Sequence, residues 1–212
     1  DNLTKQNATL YKYKNHYYGV PQVTDCLALL YNKRLFKEKS VKPPATMTEF
    51  LSVASKLTDL KTGRYGFYMR GDSYWLQPFI WAFGGDLITK DGEYLIDSKE
   101  SIAGLKFVID FLNASNISPK NIDFSNDYVN SMTAFKTGKA AMIFNGPWAT
   151  TDILSGQEFK DKDNLGVALI PKAIKYGSPV GGHNYVISQN SKNPRLAYKF
   201  IEFLNKKENQ IR

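Results

Sequence analysis

Apolar and polar residues follow one another along this chain in two rhythms, and the rhythm changes often enough to divide it into strands and helices in turn. Tyr11, Tyr13, His16, Tyr17 and Tyr18 interleave with Lys12 and Lys14 near period two. That pattern predicts a hairpin with one buried and one wet face, leading into Gly19-Val20-Pro21. Leu27 to Tyr31 reads as a strand, Asn32 to Lys37 as a short helix, and Val41-Lys42-Pro43-Pro44 as a linker. Thr46-Met47-Thr48-Glu49 has capping-box spacing, with Phe50, Val53, Ala54 and Leu57 following at i, i+3, i+4 and i+7, so a helix starts there. After the turn at Lys61-Thr62-Gly63, Tyr65 to Met69 reads as a strand. Gly71-Asp72-Ser73 opens a helix that runs to Phe83 and stops at Gly84-Gly85. Asp91-Gly92 is a hairpin turn between Leu87-Ile88-Thr89 and Tyr94-Leu95-Ile96. The longest amphipathic helix, Ser98 to Asn113, places Ile102, Leu105, Val108, Ile109 and Leu112 on one side.

The second half continues the alternation. Val129, Met132 and Phe135 mark a helix ended by Gly138 as a left-handed C′ residue, and Ala140 to Phe144 is an apolar run of strand length. Pro147 suits the first turn of a new helix, where a missing N–H costs nothing, so Trp148 stands at the mouth of a strand. Leu165 to Ile170 reads as a strand ended by Pro171, and Lys172 to Pro179 as a loop. Gly181-Gly182 begins a return crossing, Tyr185-Val186-Ile187 is a strand, and Asn193-Pro194 starts a last helix carrying Leu196, Phe200, Ile201, Phe203 and Leu204. Strands alternating with helices give an α/β class.

Composition narrows the possibilities without choosing a function. With 212 residues, 42% hydrophobic and 14% aromatic, the chain can bury a core as one large or two small domains. No apolar run approaches a membrane span of about 18 residues. Asp1-Asn2-Leu3-Thr4 shows neither the basic nor the apolar part of a signal peptide. The single cysteine, Cys26, has no internal disulfide partner, and its leucine neighbours predict a buried strand thiol. A net charge of +8 and a pI near 9.3 would favour anionic surroundings, but the lysines are dispersed and the Lys206-Lys207 pair ends a helix, which fits a solvated surface. The aromatic and lysine mixture of the first hairpin also has the makings of a stacking platform for single-stranded nucleic acid, a reading that period-two alternation makes unnecessary.

Three blocks carry a resemblance. The first is Ala134-Phe135-Lys136-Thr137-Gly138-Lys139-Ala140-Ala141-Met142-Ile143-Phe144-Asn145-Gly146-Pro147-Trp148. The second runs from Gly19 to Phe36 and ends in Tyr31-Asn32-Lys33-Arg34-Leu35-Phe36. The third is Asp72-Ser73-Tyr74-Trp75-Leu76-Gln77-Pro78-Phe79 with Phe83-Gly84-Gly85. Together they resemble the extracellular solute-binding proteins of sugar ABC transporters, the maltose-binding-protein-like family, over nearly the whole chain. The resemblance implies a class II periplasmic-binding-protein-like fold of two α/β lobes joined by hinge crossings, with the ligand in the cleft between them. On that plan residues 1–29 are a first-lobe segment and hinge crossing, 30–179 most of the second lobe, and 180–212 the hinge return and a further first-lobe segment. The family's opening strand-helix-strand units and its closing helices have no counterpart here, which implies a partial chain centred on the second lobe. Binding outside the cell, delivery to ABC permease subunits, and tethering by an N-terminal lipid anchor or residence in a periplasm are likewise implied by the resemblance alone. No cofactor, no metal and no nucleic-acid partner are expected.

Sugars offer apolar C–H faces that lie on aromatic rings and hydroxyls that need charge-assisted partners. In the family the tryptophan of the Asn-Gly-Pro-Trp turn stacks on a pyranose ring, which makes Trp148 the first candidate; its bland reading is a core tryptophan. Tyr74 and Trp75 match adjacent stacking aromatics, and Asp72 matches an acidic hydroxyl acceptor, although an aspartate there also suits a helix N-cap. Asp25 matches a carboxylate of the crossover strand. Asn145, Gly182, His183 and Arg70 are further candidates, with Gly181 and Gly182 also suited to a hinge and Arg70 also suited to an ion pair with Asp72. Hydrolysis would need two carboxylates flanking one bond, and residue type alone leaves Asp25 and Asp72 open to that role. No catalytic triad, metal-ligand spacing, P-loop or dinucleotide glycine pattern occurs, so no enzyme is expected. The alternatives are a polyol, an acidic sugar or another anionic solute as ligand, and a basic nucleic-acid or cell-wall binding module. The last would show steeply salt-dependent affinity.

Overall fold

Of the three strands of the central sheet, the middle one and one neighbour are buried on both faces. In the computed structural model, which describes residues 12–114 and 116–211, β4 (Ala28–Asn32) pairs antiparallel with β5 (Met142–Asn145) on one side and β6 (Leu165–Ala168) on the other. Successive side chains point to opposite faces. Leu29, Met142 and Phe144 enter a large core with Phe50, Phe67, Phe79 and Phe111, while Leu30 and Ile143 enter a second cluster with Met132, Phe135, Ile153 and Phe159. Helices therefore cover both faces. On the first lie α2 (Met47–Leu57), α3 (Ser73–Ala82) and α4 (Lys99–Ala114); on the second lie α5 (Asp127–Lys136) and α6 (Thr150–Leu154). Asn32 caps α1 (Lys33–Glu38) through its side chain, which accepts from the Leu35 amide.

Local chemistry accounts for most of the element boundaries. Thr46 and Glu49 form a reciprocal capping box at the start of α2. At the end of α5, Gly138 takes φ +73°, Lys139 N–H donates to the Ala134 carbonyl and Gly138 N–H to that of Phe135, a complete Schellman arrangement. Gly104 lets α4 lie close on α3, since a Cβ there would stand 2.6 Å from the Phe79 carbonyl oxygen.

The chain divides into two units by its contacts, Cys26–Pro179 and a second made of Asp1–Asp25 with Val180–Arg212. The second contains the hairpin β1 (Lys12–Tyr13) and β2 (His16–Tyr17), the pair β3 (Val20–Cys26) and β7 (Val180–Tyr185), α7 (Pro194–Leu204) and α8 (Lys207–Gln210).

Several expectations need correction. Tyr65 to Met69 is not a strand: it contributes one parallel bridge, Tyr65 to Ala140, and then runs on with Phe67 donating to the Ile117 carbonyl and Tyr68 to that of Met142. The Asp91-Gly92 turn forms, with Gly92 at φ +91°, but it joins a single Ile88–Tyr94 bridge. The return strand is Val180–Tyr185, so Val186 lies beyond it and is exposed. In α4, Ile102 and Ile109 face solvent, because the close approach at Gly104 turns Ser101, Gly104, Val108 and Phe111 inward. In α5, Val129 is exposed for a similar reason, as Ser131, Met132 and Phe135 take the buried side. The β1–β2 hairpin has no buried face, since Tyr13, Tyr17 and Tyr18 are all exposed; Tyr11 lies outside the described residues, as do Asp1 to Thr4. Cys26 is exposed, because Leu27 and Leu29 occupy the inward positions of the alternation.

Candidate functional site

The candidate site is built where β5 runs out. β5 closes at Asn145, and Gly146 leads into the 3-10 turn Pro147–Ala149 and then α6. The Asn145 side chain shapes this exit: Oδ1 accepts from the Gly146 amide at 2.9 Å, and Nδ2 contacts the Met132 sulfur at 3.2 Å. Asn145 is wholly buried, so its part is to build the turn, which corrects its candidacy as a residue open to a ligand. Trp148 lies over Gly146, where a Cβ would overlap its six-membered ring, and the side chain stays 41% exposed. The indole thus has a firm backing and an open side, and the reading of Trp148 as a core residue fails.

The N-terminus of α3 meets the same place. Trp75 Nε1 donates to the Phe144 carbonyl at 2.9 Å, which pins α3 to the last turn of the strand. Tyr74 packs edge-on to Trp75 with ring centroids 5.0 Å apart, and both rings are half-buried. Asp72 is exposed and caps α3, with Oδ1 accepting from the Tyr74 amide at 2.8 Å, so the N-cap reading holds.

Arg70 turns away from Asp72. Its Nε and Nη2 donate to Asp127 Oδ1 at 3.2 and 2.8 Å, with both side chains nearly buried, and Asp127 Oδ2 accepts from the Gly71 amide at 3.0 Å. The guanidinium lies 3.5 Å from the Trp75 ring centroid and 4.8 Å from that of Tyr128. An ion pair with Asp72 is thereby excluded, and an anionic ligand loses the free arginine that the sequence offered it. Nη1 is buried without a protein partner. The Tyr68 hydroxyl beside this cluster is raised above its ordinary value, first by burial and then by the negative charge of Asp127.

Sequence reasoning missed Tyr128, Asp127 and Phe124. The first two follow Asn126 at the start of α5 and complete the Arg70 stack. Phe124 stands in the preceding turn, 73% exposed, with its ring over Gly71. An apolar ring between Asp123 and Ser125-Asn126 was the available signal.

The remaining candidates belong to the other unit. Asp25 is half-buried near the end of β3, and His183 is exposed on β7. Gly182 permits the β3–β7 pairing, as a Cβ there would run into the Val23 carbonyl oxygen. Within the larger unit a cavity of about 610 Å3 opens at the end of the sheet where β4 begins, lined among others by Cys26, Val167, Leu169 and Tyr176. Among the described residues no group of three or more His, Cys, Asp or Glu could hold a metal ion.

A chain with this site has relatives of known kind. A family model described as bacterial extracellular solute-binding protein matches residues 1–212. The chain is 30% identical over 200 residues to a maltotriose-binding protein of Pyrococcus abyssi, covering 91% of this chain and 41% of that one. It is 31% identical over 204 residues to a maltodextrin-binding protein of Bacillus subtilis, covering 88% and 45%. Among solved structures, the GacH receptor of Streptomyces glaucescens, known unliganded and with acarbose, superposes with a TM-score of 0.91 at 36% identity, covering 98% of this chain and 53% of the other. An ABC transporter solute-binding protein of Thermotoga lettingae bound with α-D-tagatose gives 0.87 at 31% identity, covering 98% and 54%. The chain spans about half the length of the relatives it matches. The α/β, periplasmic-binding-protein-like fold expected from the sequence is borne out, and the chain belongs to the bacterial extracellular solute-binding protein family.

Proposed function

We propose that this chain captures a neutral carbohydrate, a malto-oligosaccharide or a similar oligosaccharide, outside the cell for import by an ABC transporter. The observation that carries the reading is the exposed indole of Trp148, backed by Gly146, at the strand end to which Trp75 is also bonded. Rings displayed in this way match the C–H faces of a pyranose, and the exposed Asp72 carboxylate supplies a charge-assisted acceptor for hydroxyls. Tyr74 contributes a second half-exposed ring, while Trp75 and Arg70 act mainly as the support beneath it. Asp25, Gly182 and His183 are kept as proposed contacts from the other unit. The relatives named for maltotriose and maltodextrin favour this ligand class.

The proposed action is binding without bond cleavage. Partners would be the permease subunits of the importer, and the place of action the outer face of the cell membrane, by lipid anchor, or a periplasm. Titrating the intrinsic tryptophan fluorescence with maltotriose tests the reading. Maltotriose should shift or quench the emission, and Trp148→Ala should remove the response and weaken binding by roughly tenfold or more, as expected for loss of a stacking ring. A response unchanged by Trp148→Ala, or binding only to uronic acids or nucleic acid with steep salt dependence, would overturn it.

A further inference from the structure

Phe124 is the most exposed phenylalanine among the described residues, at 73%, yet it is not loosely carried. Its ring lies on Gly71, where a Cβ would stand 2.9 Å from Cδ1 and 3.0 Å from Cζ. Only glycine leaves room for an aromatic ring so close to the backbone. The turn that presents the ring is bonded at several points. Ser125 N–H and Asn126 Nδ2 donate to the two Asp123 carboxylate oxygens at 3.1 and 3.0 Å, and Asn126 N–H donates to the Asp123 carbonyl. Those bonds, the Asn126 amide first, hold the Asp123 carboxyl below its ordinary value, so the turn is set in its charged form at neutral pH. Holding an aromatic face outward in a fixed pose removes part of the ordering cost a ligand would otherwise meet.

The ring is also continuous with the candidate site through bonded neighbours. Gly71 beneath it donates to Asp127, Asp127 holds Arg70, and Arg70 lies on Trp75. Asp72 follows Gly71 directly and caps the helix that carries Tyr74 and Trp75. We infer that Phe124 is a further sugar platform at the rim of this site, extending it to take an additional pyranose unit of a longer oligosaccharide. The inference rests on the carbohydrate reading above. Phenylalanine has no polar handle, so this position takes a C–H face and makes no hydrogen bond to individual hydroxyls. It selects for ligand length and leaves the identity of the sugar to Trp148 and Asp72.

Frontal affinity chromatography of the 212-residue chain with maltotriose and maltoheptaose separates the outcomes. Phe124→Ala should weaken maltoheptaose about five- to tenfold, the range of one aromatic contact, and change maltotriose less than twofold. Phe124→Leu keeps an apolar cover on Gly71 without a flat face and should behave as Phe124→Ala, whereas Phe124→Tyr should keep the preference for the longer sugar. Melting curves that match the unsubstituted chain would show that the fold is intact. If the heptasaccharide binds equally well with and without Phe124, or if both sugars weaken by the same factor, the extra platform is overturned while the carbohydrate reading stands. If the unsubstituted chain retains neither sugar, the carbohydrate reading itself fails, and this inference with it.

Discussion

Both carboxylate oxygens of Asp127 are committed, Oδ1 to the Arg70 guanidinium and Oδ2 to the Gly71 amide, and almost no water reaches the pair. The pair stacks with Trp75 and Tyr128, so one carboxylate at the start of α5 fixes the arginine, the indole and the turn into α3. Removing a partner from a buried ion pair leaves an uncompensated charge, at a cost of about 3–5 kcal/mol. For a chain of this size Asp127→Ala should then lower the melting temperature by roughly 10 °C. Replacing Arg70 and Asp127 together by apolar residues should cost less than the sum of the single changes, because no charge is stranded. Differential scanning calorimetry of the two single variants and the double variant checks both statements. A melting temperature for Asp127→Ala within about 2 °C of the unsubstituted chain would mean that the pair carries little of the site's rigidity.

At the scale of elements, Glu158 ties the sheet to the α1 helix. Asn32 Nδ2 donates to its Oε2 at 2.9 Å, and Arg34 donates to the same oxygen through Nε and Nη2. Burial pushes the Glu158 carboxyl upward, but the hydrogen bonds from Arg34 and Asn32 outweigh it, and the group ends below its ordinary value. A depressed carboxylate adds stability above its unfolded pKa of about 4.3, and that addition disappears as pH falls through the folded value. Glu158→Gln should therefore be less stable than the parent at pH 7 by about 1 kcal/mol, after discounting for the half-exposed Arg34. The gap should narrow as the pH drops below about 4.3. Urea unfolding at pH 7 and pH 3 measures it, and a gap of constant size would refute the linkage. The elements themselves differ in how plainly the sequence announces them. The capping box at Thr46, the Gly138 stop and the Pro147 start are set by neighbours within a few residues, and they stand where the sequence places them. The inward faces of α4 and α5 depend on a partner helix and on a buried charge, and neither leaves a local mark. Ile102, Ile109 and Val129 look like core residues by hydrophobicity but are displaced by Gly104, Ser101 and Ser131. The site shows the same split. Trp148 was legible from its turn, whereas Arg70 finds Asp127 across 57 residues and could not be assigned from spacing.

Across the whole molecule the apolar burial is unevenly shared. Both core clusters lie inside Cys26–Pro179, while among the described residues of the other unit Ile201 alone is buried. α7 keeps Leu196, Phe200 and Phe203 exposed despite its strongly amphipathic pattern, so little apolar contact holds it in place. Regions with few buried contacts open at low free energy, and proteolysis of such openings follows their population. Trypsin under native conditions should cut first at exposed basic positions of this unit, such as Lys192, Arg195, Lys199 and the Lys206-Lys207 pair, or at Lys12 and Lys14. Mass spectrometry over a time course should then find a resistant product of residues 15–192, which holds the whole of the larger unit with Trp148, Trp75, Tyr74, Asp72 and Phe124 and keeps the β3–β7 pair. Early cuts at Lys56, Lys106 or Lys136, in helices packed on the two cores, would contradict this distribution of stability. If the resistant product also keeps the fluorescence response to maltotriose, α7 and α8 are not needed to engage sugar. If the response is lost at the same rate as residues 193–211, the segment that forms α7 and α8 is required for it.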